Sequence, residues 1–171
     1  MGNFIIKTPA TDLELDGKAF VHYTAWNESY TGLIPQAYLD TRSLEQCRTI
    51  ARSPGANTLV AVTEEQVAGF ASYLPDCRSF VSVPDSCEVV ALYVLERYKG
   101  QGIGTALLQR CLRELPEEKA VVLFVLEGNE KAIRFYEKQG FVFTGHALAQ
   151  KIPGGEIREL EMVLTDRPAQ G

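Results

Sequence analysis

Residues 95–115 read LERYKGQGIGTALLQRCLREL, with glycine at 100, 102 and 104. Glycine weakens strands and helix interiors, so three of them between a greasy run and an amphipathic helix need a reason. The run before them, CEVVALYVL at 87–95, is nearly all apolar, as in a strand covered on both faces. The residues after them place Ile103, Leu107, Leu108, Cys111, Leu112 and Leu115 on one side of a helix that stops near Pro116. A strand, a glycine turn and a helix start together make an anion site. The first helical amides have no internal partner, the helix dipole is positive there, and glycines let a pyrophosphate reach the N–H groups. Lys99 adds a counter-charge. The plainer alternative is a tight strand-to-helix turn. A Walker loop is excluded, because the lysine precedes the first glycine. A Rossmann fingerprint fits Gly100 and Gly102, but Thr105 stands at the third glycine and half the chain precedes the motif.

Outward from this stretch, the order of elements follows from periodicity. Residues 4–7 read as a first strand. Ala19, Phe20, Tyr23, Ala25 and Trp26 recur at helical spacing over 16–30, broken by Gly32 and Pro35. Ser43 and Gln46 form a capping-box pattern for a second helix through 51. TLVAVTE (58–64) and QVAGFASYLP (66–75) face each other as an antiparallel hairpin. PDCRSFVSVPDS (75–86) is a loop. Past the glycine helix come AVVLFVLE (120–127), a second buried strand, and NEKAIRFYEKQG (129–140), a helix closed by Gly140. FVFTGHALA (141–149) and IRELEMVLT (157–165) flank Pro153-Gly154-Gly155 as a closing hairpin, with Leu160, Met162 and Leu164 alternating against charged or exposed positions. The fold class is α/β, a mixed parallel and antiparallel sheet of about seven strands with helices on both faces. The two strands around the glycine helix are parallel and joined by a right-handed crossover.

The 171 residues fit a single domain spanning 1–171, and 46% apolar content allows a sizeable core. A net charge of −5 and the lack of any basic run argue against nucleic-acid and membrane-surface partners. The start has no secretory pattern, and no segment reaches the ~20 apolar residues of a membrane span. Cys47, Cys77, Cys87 and Cys111 show no C-x-x-C spacing, and His22 and His146 are the only histidines. No metal site is expected. The expectation is reduced, buried thiols in a cytoplasmic protein.

YVLERYKGQGIGTALL (93–108) followed by NEKAIRFYEKQGF (129–141) resembles the GNAT superfamily of acetyl-CoA-dependent acyltransferases. The element order also matches, over nearly the whole chain. The family's first motif is Gln or Arg, two residues, Gly, one residue, then Gly or Ala. It fits with Lys99 in first place and glycines at 102 and 104, or with Arg97 followed by Gly100 and Gly102. The resemblance implies acetyl-CoA as co-substrate, its pyrophosphate gripped by amides of Gly100, Gln101, Gly102, Ile103, Gly104 and Thr105, with Lys99 nearby. It implies that Leu92, Tyr93 and Val94 pair with the pantetheine arm, and that the two central parallel strands splay apart to admit it. A backbone N–H near Val94 would hold the thioester oxygen.

Asn129 falls where the family binds pantetheine, and is also a favoured helix N-cap. Tyr136 takes the family's place for the acid that protonates the leaving thiolate; its bland alternative is a core aromatic. Glu88 takes the place of the base that deprotonates the amine, often through water; its alternative is an exposed strand-end carboxylate. Strict alternation puts Glu88 on the side of Val90, Leu92 and Val94.

AWNESYTGLIPQAYLD (25–40) looks like the bacterial subgroup of polyamine and other small-amine acetyltransferases. Trp26, Glu28, Tyr30 and Tyr38 are thereby candidates for contact with a small-molecule amine, since aromatics with a carboxylate suit a cation; core packing is the alternative. A homodimer is one state the family adopts. The rival functional class is a CoA-binding regulatory module without transfer activity.

Overall fold

The structure, a computed structural model, describes residues 3–167. Its elements run β1 (Phe4–Lys7), α1 (Asp12–Tyr30), α2 (Gln36–Leu39), α3 (Leu44–Arg52), β2 (Asn57–Thr63), β3 (Val67–Leu74), β4 (Cys87–Val94), a 3-10 turn (Glu96–Tyr98), α4 (Ile103–Glu114), β5 (Val121–Leu126), α5 (Glu130–Lys138), β6 (Val142–Ile152) and β7 (Gly155–Leu164). The strands make one seven-stranded sheet in the order β1-β2-β3-β4-β5-β7-β6. Only β4–β5 is parallel; the other pairs are antiparallel. Helix α4 packs Ile103, Leu107, Leu108 and Cys111 on one face, with Ile133 of α5 in the same cluster. The other face packs against α1 through Val21 and Ala25.

Two local departures from the sequence expectation have clear causes. Helix α1 begins at Asp12 rather than 16, because Thr11 and Glu14 form a capping box. Leu13 in that first turn is 82% exposed, so apolar spacing carries no signal there. The helix also turns Phe20 and Tyr23 outward and buries Ala19, Val21, Ala25 and Trp26 instead. The one-turn α2 follows Pro35, which fixes the backbone at its N-cap. The Ser43–Gln46 capping box of α3 is present as expected.

The splay expected between the central strands is explicit in the register. Strands β4 and β5 pair at Cys87 with Val121 and at Glu88 with Val122, and the ladder stops there. From Val89 and Leu123 onward the two strands diverge and line a cleft of ≈ 800 Å³. A bulge in β4 opposite Ser72 and Tyr73 alters the facing of its residues. Strict alternation fails across it: Val89 packs with Leu92 and Val94 on the α4 side, while Ala91 and Tyr93 face α1. Glu88, opposite to Val89, therefore shares the α1 face with Ala91 and Tyr93, not with Leu92 and Val94.

The last strand brings a further correction. Glu161, between Leu160 and Met162, is fully buried rather than exposed. Residues 75–86 fold across that face, and Ser82 donates to Glu161 from its N–H at 2.8 Å and from its hydroxyl. Thr144 donates a third bond at 2.7 Å. Burial raises the Glu161 carboxyl, but these bonds outweigh it and hold the group below its ordinary value. Cys47, Cys87 and Cys111 are buried free thiols; Cys77, in the loop, is only half-buried. No helix among the described residues is long and apolar enough to cross a membrane.

Candidate active site

The cleft has two chemically distinct ends. At one, Gly100 and Gly102 adopt φ of +75° and +85°, the left-handed region that disfavours other residues. Gly102 is the N-cap of α4 and offers no side chain, so the N–H groups of the first turn keep their capacity to donate. A Cβ built on Gly100 or Gly102 would meet no protein atom within 4 Å, so the protein's own packing does not require glycine there. Gly104 is ordinary helix, and a Cβ on it would touch Phe135 at 3.5 Å. Lys99 and Lys131 line this end, Lys99 held 2.6 Å from Glu96. An open, glycine-walled helix start with two lysines beside it fits the diphosphate of a coenzyme A.

The middle is an unzipped strand. Leu95 N–H donates to Ala68 O at 2.9 Å. Alternation then sends the Val94 and Leu92 N–H groups the opposite way, into the cleft. Asn129 caps α5, accepting from Ala132 N–H at 3.4 Å, and also lines the cleft.

Tyr136 lines the cleft, with its ring edge-on to Phe135 and Phe141 at 5.2 and 5.9 Å. Burial raises its phenol above the ordinary value, and nearby Tyr30 adds to the rise. It is a protonated hydroxyl at neutral pH, with no hydrogen-bond partner among the described residues.

The far end lies under α1. The hydroxyls of Tyr30 and Tyr93 meet at 3.3 Å, and both line the cleft. Glu28 lines it too, but its carboxylate accepts from Glu96 N–H at 2.9 Å and tethers the 3-10 turn to α1. Trp26 and Tyr38 stand behind Tyr30: Trp26 is 8% exposed and packs among Ile34, Leu39 and Leu126. They belong to the core that holds Tyr30 and are not cleft wall. Gln101 likewise is off the wall; its side chain donates to Arg97 O at 3.2 Å.

Glu88 is fully buried and is not part of the cleft lining. Arg78, from the 75–86 loop, donates to it from Nε at 3.1 Å to each oxygen and from its N–H at 3.2 Å. Besides the tethered Glu28, the carboxylate that lines this end is Glu159 of β7, which the sequence reading does not reach. Its only signal there is a charged residue on the alternating polar side of the last strand. Among the described residues no group of His, Cys, Asp and Glu is arranged to hold a metal ion.

Comparison with known proteins agrees with this geometry. Residues 21–141 match the acetyltransferase (GNAT) family. The chain is 30% identical over 148 residues to a probable N-acetyltransferase of Mycobacterium tuberculosis, covering 83% of this chain and 82% of that one. It superposes on the ribosomal-protein-alanine N-acetyltransferase of Brucella melitensis with a TM-score of 0.70 and 28% identity, over 94% and 98% of the two chains. The PaiA N-acetyltransferase of Thermoplasma acidophilum, solved in complex with coenzyme A, shares the fold at a TM-score of 0.66 and 20% identity, over 93% and 98%.

Proposed function

The chain belongs to the acetyltransferase (GNAT) family, and from its cleft we propose that it moves the acetyl group of acetyl-CoA to a small cationic primary amine by direct attack in a ternary complex. The observation that carries this is the β4–β5 ladder, which stops after two rungs and leaves Val94 N–H facing an open slot with a glycine cradle at its end.

In this reading the amides of residues 100–105 hold the diphosphate, and Leu92 to Val94 pair with the pantetheine arm as an added strand. Asn129 contributes its amide to the same arm. The Val94 N–H points to where charge develops on the thioester oxygen, the place where a fixed donor lowers the barrier most. Tyr136 gives its proton to the departing sulfur. A phenol near ~10 and a thiol near ~8.5 are matched closely enough for that exchange in a dry site.

The acceptor enters beneath α1. At the glycine end Lys99 and Lys131 line the cleft beside Glu96 and Glu130, with Lys99 paired to Glu96, while the end under α1 is lined by Glu28, Glu159, Tyr30 and Tyr93 with no lysine or arginine among the lining residues. That arrangement suits a cation, polyamines among them. The ammonium must shed a proton before it can attack. Glu88 lies on the strand that ends at the thioester, but both its oxygens are engaged by Arg78, so it would reach an amine only through water.

The test is release of free thiol from acetyl-CoA across a panel of primary amines, beside calorimetry with CoA. Binding together with amine-dependent release is expected. Binding without release from any amine would make the chain a CoA-sensing module; no binding would remove the cleft assignment.

A further inference from the structure

Three glutamates, 88, 159 and 161, occupy the sheet face that turns toward α1 and the 75–86 loop. Two of them are already committed. Glu161 is saturated by Ser82 and Thr144, and Glu88 is clasped by Arg78. Glu159 has no hydrogen-bond or ion-pair partner among the described residues, and it alone of the three lines the cleft. The groups that face it are Tyr30 from α1, Arg78 from the loop and Glu88 from β4. Its lateral neighbours on β5 and β6 are Leu126 and Leu148, which carry no charge. Burial raises the Glu159 carboxyl above the ordinary range; Arg78 offsets part of this and Glu88 adds to it. A half-buried carboxylate without a partner is costly unless something cationic arrives to meet it.

We propose that Glu159 is the carboxylate that receives the acceptor amine, docking its ammonium and taking its proton. The inference rests on the acetyl-transfer reading. One N–H proton of the ammonium passes to the Glu159 carboxylate and leaves a neutral amine. Its lone pair forms the new C–N bond as the C–S bond breaks toward sulfur. The second N–H proton, made acidic by bond formation, is taken up by Tyr136 as Tyr136 gives its own proton to the sulfur. Glu159 then returns its proton to water. A carboxylate with raised proton affinity is the better base for an ammonium.

The experiment uses the full chain with acetyl-CoA and, as probes, spermidine, agmatine and an alanyl peptide. Glu159→Gln is expected to lower kcat/KM for the best probe by about 100-fold or more at pH 7. The deficit should shrink about tenfold per pH unit as pH rises, because a more basic solution supplies neutral amine by itself. Glu159→Asp should recover part of the loss, and acetyl-CoA affinity should stay within about twofold in both variants. Full activity in Glu159→Gln, or a loss equal at every pH, overturns the assignment.

If wild type binds acetyl-CoA and turns over no probe, the transfer reading fails, and Glu159 is read separately. In carboxyl-carbon NMR of the CoA-bound chain, the resonance missing from Glu159→Gln should titrate above the other glutamates and shift on addition of spermidine. An ordinary midpoint with no response to spermidine overturns the assignment on its own.

Discussion

The guanidinium of Arg78 lies across both oxygens of Glu88, joining a loop of the acceptor end to the first rungs of the splayed strands. Glu88 is fully buried while the Arg78 side chain is 42% exposed, so the pair is screened on one side only. Arg78→Ala should cost about 1–3 kcal/mol, the toll of an uncompensated buried acceptor, at the lower end because of that screening. Glu88→Gln in the same background should recover part of it, which a thermal-melt double-mutant cycle measures. Strictly additive losses would mean the two side chains do not interact.

Tyr136→Phe should lower turnover by about 10²–10⁴-fold, the usual range for a proton donor in the transition state. Acetyl-CoA affinity should be unchanged, since the ring keeps its contacts with Phe135 and Phe141. Stopped-turnover kinetics and calorimetry separate the two quantities. Full activity in the variant would remove the hydroxyl from the mechanism.

Much of this was legible in the chain itself because it is local. The glycine turn, the Ser43–Gln46 capping box and the two buried central strands are written in adjacent residues. What stayed hidden depends on contacts far apart in sequence. The β4 bulge, which turns Glu88 to the α1 face, is set by pairing with Ser72 and Tyr73. Glu161 reads as an exposed alternating charge until Ser82, 79 positions away, is laid over it. Glu159 is chemically identical to it in sequence, and the course of the 75–86 loop, with Thr144 on β6, leaves one satisfied and the other open. Trp26 and Tyr38 carry the right chemistry for a cation site, yet Trp26 lies one helical turn back from Tyr30 on α1 and Tyr38 packs against Trp26 from α2.

At Gly102 the backbone conformation, not contact with the rest of the protein, disfavours a side chain. At φ +85° any other residue is strained, so Gly102→Ala should cost about 1–2 kcal/mol of stability. Nothing in the protein would touch the new methyl. Gly102→Glu adds bulk and negative charge where the diphosphate is proposed to lie and should abolish CoA binding in calorimetry while the chain stays folded by circular dichroism. Unchanged affinity in the glutamate variant would place the diphosphate elsewhere.

His22 gives the fold a dependence on pH separate from catalysis. Its ring sits against Phe70 and Tyr93 at 5.5 and 5.8 Å, with Arg42 3.0 Å from Nε2. Burial, then the charges of Arg42 and Lys18, lower its pKa from 6.5 to about 4. The folded state therefore holds the ring neutral, and between pH 6.5 and 4 the unfolded chain binds the extra proton. Stability is full above pH 6.5 and is lost as pH falls through that window, by at most about 3 kcal/mol. Glu161, also held below its ordinary value, loses its contribution only at more acid pH, so the two are separable. Glu159, raised by burial, acts in the opposite direction over the same window, so the His22 effect is read as a difference: urea midpoints measured from pH 7 to pH 4.5 should fall more steeply for wild type than for His22→Gln. His22→Gln, which cannot take up the proton, should show a flatter line over the same range whatever its starting stability. Parallel lines for the two proteins would mean that His22 is not the group whose protonation loosens the fold.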